Sequence, residues 1–234
     1  MQFIESSVFG VRAARLTFSS GDQARVTLFP MVHVGEPEFY RATYEDALNH
    51  DVILWEGVRS PIVTRITRSY RWLLRSRAMT GLVLQPKIPS EAGKARLVHA
   101  DLTAEEFEIE WKRVPMWLRL AVYALAPLVG LHRRWLSNRP KLAKGMNCED
   151  QPSFAELLAV APETGALTQA ILHARDKRLL ERLGAELDAP EEQTKTIAVV
   201  YGAAHMRAVV RELTARRRFS PVGAEWRLLM TNGG

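Results

Sequence analysis

Cysteine is almost missing from this sequence, with Cys148 the single example in 234 residues. One cysteine excludes an internal disulfide and fits a reducing compartment. The first seven residues also lack the basic and apolar regions of a secretory signal, so we expect a cytoplasmic protein. No low-complexity linker divides the chain. Its length therefore predicts one domain over 1–234, long enough to bury a sizeable core.

Acidic residues are absent from two long tracts. The net charge is +6, and neither 57–90 nor 111–148 contains an Asp or Glu. We predict helical, arginine-rich insertions at about 60–84 and 103–145. The first has an apolar face opposite its arginines, and no nucleic-acid motif accompanies it. We therefore expect no nucleic-acid binding.

The most apolar run, 114–131, is close to the length of a membrane span. Arg119 lies inside it and Pro127 interrupts it, so we do not expect a span. Two interpretations remain for the 111–144 region. One is an interfacial helix pair on an anionic membrane, which would place the protein at the inner membrane face. The other, which we favour, is a buried or cleft-covering helical hairpin.

Two stretches have the same architecture. The first is a buried strand at 26–32, His33, an amphipathic helix, and an apolar strand that ends on Glu56. The second, at 196–230, is a buried strand, His205, a helix and another strand. This weak internal repeat predicts an α/β fold with a central mixed, largely parallel sheet flanked by helices. Both histidines should then lie at the carboxyl edge of one sheet.

The remaining elements complete this expectation. Residues 2–30 alternate as a β-meander does, and a helix begins near Thr103 with a capping box to Glu106. A short helix at 153–159 and the longest helix at 164–187 follow. The alternation predicts five core positions in the meander: Phe3, Val8, Val11, Leu16 and Phe18.

The residues at the predicted edge suit two kinds of chemistry. His33, His205 and Glu56 are ligands that a catalytic divalent metal takes in proteins. The same groups also serve as general bases without a metal. Gly202, which has no Cβ, allows a tight turn or the close approach of a ligand.

These motifs resemble those of the TraB/Tiki family. Gly202-Ala-Ala-His205 is similar to the second Gly-x-x-His motif of that family. His33 in Met-Val-His-Val-Gly, followed by Glu56, resembles the first motif and its glutamate. One difference is Pro30, which stands where the first motif has Gly and fixes the backbone there.

Two further segments carry the resemblance. Arg175-Asp176 resembles the arginine-containing helix before the final strand, and Asp101 lies in a segment similar to the mid-domain Ala-Asp of the family. The match spans essentially the whole chain in order. It implies a fold related to those of erythromycin esterase and the haem-binding ChaN proteins. For the Tiki branch it also implies metal-dependent peptide hydrolysis.

Our leading hypothesis is a metal-dependent peptidase or amidase that acts on a peptide or small-molecule substrate. His33 and His205 would bind Mn²⁺, Co²⁺ or Zn²⁺, and Glu56 would be a ligand or the general base. Arg175 would stabilise the oxyanion or hold a substrate carboxylate, or it would form a structural ion pair with Asp176 or Glu56. We interpret Asp101 as an N-cap first and a site residue second.

Two alternatives stay open. One is a non-catalytic regulatory or ligand-binding module for a peptide, haem or a membrane surface. The other is a metal-free esterase in which His33 is the general base. Chelator-insensitive turnover would favour the esterase over the metalloenzyme.

Overall fold

The computed structural model describes residues 1–21, 24–89, 94–149, 165–189 and 194–233. The helix predicted at 153–159 lies outside these residues. The strands are β1 Gln2–Ser6, β2 Gly10–Ser19, β3 Ala24–Met31, β4 Val34–Gly35, β5 Val52–Trp55, β6 Val83–Leu84, β7 Arg96–His99, β8 Cys148–Glu149, β9 Lys195–Gly202 and β10 Ser220–Thr231.

The helices alternate with the strands of the parallel half and cluster between β5 and β8. The last long helix, α6, passes through Gly165–Thr168, a π-helical stretch at Gln169–His173 and Ala174–Asp188. The others are α1 Pro37–Ala47, α2 Pro61–Leu73, α3 Ala104–Arg113, α4 Met116–Leu136, α5 Arg139–Lys144 and α7 Met206–Arg211.

Eight strands form one mixed sheet, which confirms the predicted α/β class. Their order is β7-β5-β9-β3-β2-β1-β8, with β10 also paired to β2. The first four strands of this order are parallel to one another, and the pairings that involve β1, β2, β8 and β10 are antiparallel. The parallel half therefore brings four strand ends to one edge of the sheet.

The parallel strands are apolar on both faces because helices cover both. On one face Leu28 and Val199 belong to the core that Leu179 of α6 and Val209 of α7 complete. On the other face Phe29 and its neighbours pack with the aromatic side of α1. A strand buried on both faces reads as a continuous apolar run, which is why these strands were predictable from sequence.

The internal repeat holds for strand, histidine and helix but not for the return strand. β3 and β9 are adjacent and parallel, and each leads into a histidine and a helix. β5 then joins the parallel half, whereas β10 runs antiparallel to β2. The sheet also places Met31, not Pro30, opposite Gly202, so the two histidine motifs are offset by one residue.

The two predicted insertions are mainly helical, but the first ends in the strand β6, which pairs with β4. Thr103 and Glu106 form the expected capping box of α3, and α4 contains Pro127. Within the described residues no single helix is long and apolar enough to cross a membrane, although α3 and α4, bent by 113°, pass that test as a pair. One core prediction was wrong. Val8 is 84% exposed, because the turn between β1 and β2 falls there.

Candidate active site at the carboxyl edge of the parallel strands

Four adjacent strands each deliver one polar residue to the same edge. Asp101 follows β7, Glu56 follows β5, His205 follows β9 and His33 follows β3. This is the edge at which open α/β sheets bind ligands. The predicted convergence of the two histidines and Glu56 on this edge therefore rests on the strand order.

Arg175 of α6 connects two of these carboxylates. Its Nη2 donates to Glu56 Oε1 and, at 2.7 Å, to Asp101 Oδ2, while its Nε donates to Asp101 Oδ1 at 2.9 Å. The Arg175 side chain is only 14% exposed and that of Asp101 is fully buried. The π-helical stretch at Gln169–His173 ends immediately before Arg175. Such single π-turns interrupt helices frequently at functional sites.

Asp101 also holds the backbone at the end of two strands. Its carboxylate accepts the N–H of Gly57 at 3.0 Å and the N–H of Leu102 at 2.8 Å. The N-cap of α3 is Thr103, so our interpretation of Asp101 as an N-cap was wrong. The Asp101 carboxylate thus accepts two hydrogen bonds from Arg175 and two from backbone N–H groups, and it fixes the position of Arg175 at the sheet edge.

Glu56 is ionised at every physiological pH. Burial acts to raise its pKa, but the charge of Arg175, followed by those of His205 and His33 and the bond from Arg175, lowers it to about 2. The backbone N–H of Gly202 donates to Glu56 Oε2. A Cβ at Gly202 would lie 3.0 Å from that oxygen, so the glycine allows this close approach.

His205 and Asp176 form a second hydrogen-bonded pair at this edge of the sheet. Asp176 Oδ1 lies 2.7 Å from His205 Nδ1, and His205 is only 4% exposed. The ring of Tyr201 contacts it edge-on, with 4.8 Å between the ring centroids. The carboxylate favours the tautomer with the proton on Nδ1. His205 thus lies beside Glu56 as an oriented, buried imidazole.

His33 is the histidine that opens to solvent. It is exposed on the wall of a cleft of about 760 Å³, which Glu56 and Arg175 also line. Its ring packs on Tyr70 of α2, with 5.0 Å between the ring centroids. Although the side chain reaches solvent in the cleft, protein atoms surround the rest of it, and the resulting desolvation is the largest effect on its pKa and lowers it. The charge of Glu56 acts to raise this pKa. It is lowered further by the positive charges of Arg175, Arg133 and His205. The neutral form is therefore favoured near pH 7.

Two of the predicted metal ligands already have partners in the protein. Both oxygens of Glu56 accept hydrogen bonds, and the cation beside it is Arg175. Nδ1 of His205 faces Asp176, an arrangement that metal-binding histidines also show. Within the described part of the chain, no group of three His, Cys, Asp or Glu side chains is placed to hold an ion. The metal site formed by His33, His205 and Glu56 stays a prediction, and no step below depends on it.

The structure also brings in residues that the sequence did not single out. Tyr70 contacts His33, and three cationic side chains line the same cleft: Arg59, Arg71 and Lys87. These three cations belong to the acid-free tract 57–90, so the sequence showed that the segment is basic but not that it lies near His33. Comparisons with protein-family models, curated proteins and solved structures gave no match.

Proposed function

We propose that this protein is a metal-independent hydrolase of ester or amide bonds, with His33 as its general base. The observation that carries the proposal is the position of His33. It is exposed in the cleft beside the Glu56–Arg175 pair, and its lowered pKa favours the form that accepts a proton. A general base must be unprotonated at the working pH and within reach of the substrate.

The reaction needs only groups at this edge and one water molecule. His33 takes a proton from water, and the hydroxide attacks the carbonyl carbon of the substrate. Glu56 stabilises the imidazolium, because its charge raises the pKa of His33. Arg175 stabilises the negative charge on the carbonyl oxygen. The imidazolium then protonates the leaving oxygen or nitrogen, and the acid and the alcohol or amine depart.

The lining of the cleft favours an apolar substrate that carries an anionic group. Aromatic and aliphatic side chains such as Trp55, Tyr70 and Ile88 form much of its wall. The cations of the wall are Arg59, Arg71 and Lys87, whereas Arg175 and Glu56 pair with each other. An acyl ester or acylated peptide with a free carboxylate matches this combination.

The test is a panel of p-nitrophenyl acyl esters and acylated dipeptides, with and without a terminal carboxylate. We expect turnover by chelator-treated wild type and at least a hundredfold loss in His33→Gln. His132→Gln is the matched control, since His132 is an exposed histidine on α4. A His33→Gln protein that is folded and fully active would refute the role of His33.

A second candidate is a ligand-binding module that uses the same cleft without chemistry. It is favoured by the bonds that already hold Arg175 to Glu56 and Asp101, which a structural ion-pair cluster would also show. Thermal stabilisation by carboxylated acyl compounds without any turnover would select this candidate.

A further inference from the structure

One face of α4 consists of large apolar side chains that no other part of the described chain covers. Its members follow each other at intervals of three and four residues, with Ala124 between the second and third. We call them the α4 ridge: Trp117 at 60% exposure, Leu120 at 59%, Leu128 at 60%, Leu131 at 46% and Trp135 at 70%. Soluble surfaces rarely expose so continuous an apolar stripe.

The opposite face of α4 already has a partner. Gly130 is buried against α2, where a Cβ would lie 3.0 Å from the ring of Trp72. Arg133 Nη1 donates to Ser69 Oγ at 2.8 Å across the same contact. The helix is thus held to the protein by one face while the ridge points away. The contact with α2 fits the buried or cleft-covering hairpin that we favoured from sequence, whereas the exposed ridge needs a further explanation.

The sequence tracts that contain α2 and α4 carry an excess of positive charge, which indicates a negatively charged binding partner. The two acid-free tracts, 57–90 and 111–148, include both α2 and α4. Exposed cations in these tracts are Arg59, Arg65, Arg68, Arg71, Arg75, Arg77, Lys87, Lys112, Arg113, Lys141 and Lys144. A second copy of this chain would bring the same positive charges face to face, which is unfavourable. An anionic surface would satisfy them.

We propose that the α4 ridge inserts into the interfacial layer of an anionic lipid bilayer, with α4 parallel to the membrane plane. Trp117 and Trp135 at the two ends of the ridge are the side chains that prefer the boundary between headgroups and acyl chains. The leucines between them enter the acyl region, and the positive charge of the two tracts attracts the protein to the lipid phosphates. This proposal is independent of the chemistry proposed for the cleft.

The test is co-sedimentation of the intact protein with vesicles of phosphatidylcholine, alone or with one third phosphatidylglycerol. We expect binding to the anionic vesicles that weakens with salt, and at least about tenfold weaker binding by Leu120→Glu/Leu128→Glu. Val222→Glu/Leu228→Glu is the matched control. It changes the net charge equally at two exposed apolar residues of β10 and should bind as wild type does.

Three results would overturn the proposal. The first is no binding of folded wild type to anionic vesicles at low salt. The second is equal binding to neutral and anionic vesicles, and the third is equal binding by the ridge variant and the β10 variant. Sedimentation velocity tests the alternative that a second copy of this chain covers the ridge. A wild-type dimer that dissociates in the ridge variant, without lipid binding, would assign the ridge to a second copy.

Discussion

Replacing Glu56 with Gln removes one charge from the buried network while keeping the shape of the side chain. The pKa of Glu56 is about 2, against an ordinary value of 4.5. This difference of about 2.5, at about 1.4 kcal/mol for each pKa unit, favours the ionised form in the folded state by about 3 kcal/mol. Gln resembles the protonated acid, so Glu56→Gln should lower the free energy of unfolding by about 3 kcal/mol at pH 7.

The sign of the pH dependence follows from the lowered pKa. A carboxyl group whose pKa is lower in the folded state contributes its full stability above its unfolded pKa, here near 4.5. That contribution disappears as the pH falls from about 4.5 towards 2. The part of the gap between wild type and Glu56→Gln that comes from this ionisation should therefore be complete above about pH 4.5 and shrink as the pH falls towards 2.

Urea denaturation at pH 7, 5, 4 and 3 measures this gap. Glu45→Gln is the matched control, because Glu45 is an exposed glutamate on α1 that also pairs with an arginine, Arg41. Exposed pairs of this kind contribute little. A gap under about 1 kcal/mol for Glu56→Gln at pH 7, or a gap of the same size at pH 3, would refute the assigned charge network.

Three other substitutions test neighbouring parts of the site. Asp101→Asn leaves Arg175 without its bidentate charge partner and should lower the free energy of unfolding by about 3 kcal/mol or more in urea denaturation. Gly202→Ala places a Cβ against Glu56 Oε2 and should lower that free energy by about 1–3 kcal/mol, together with kcat/KM. Asp176→Asn replaces the charged partner of buried His205 by a neutral one and should lower the free energy of unfolding by about 1–3 kcal/mol, and an unchanged value would show that this pair does not stabilise the fold.

The sheet was predictable because its parallel strands are buried on both faces. Strands 26–32, 51–56 and 196–201 of the sequence correspond to β3, β5 and β9. Parallel pairing then places whatever follows each strand at one edge, so His33, Glu56 and His205 could be grouped before any distance was known. The grouping depends only on pattern and topology.

The contacts within the site were not predictable in the same way. Arg175 and Asp101 are 74 residues apart, and no local pattern reports their bidentate pair. Alignment of the two histidine motifs was off by one residue, because the turn after β9 is a short 3-10 helix, Ala203–His205, and β3 has none. That turn buries His205, whereas His33 stays exposed.

The charge pattern of the sequence also did not show which charged side chains are buried. Arg139 belongs to the second acid-free tract, yet it is buried and donates to Glu36 and to the Thr231 carbonyl. The sequence reports its charge but not these partners, which come from the ends of distant elements. A basic tract therefore predicts a surface only for those members that tertiary contacts leave exposed.

The pH dependence of kcat/KM for the ester panel, in chelator-treated wild type and His33→Gln, tests the central claim most directly. The account predicts that kcat/KM rises with pH through a pKa below 6.5 to a plateau, since Glu56 is already ionised and His33 must lose its proton. In His33→Gln this pH-dependent turnover should be absent. Turnover that appears only when Mn²⁺, Co²⁺ or Zn²⁺ is added, or that persists unchanged in His33→Gln, would contradict it.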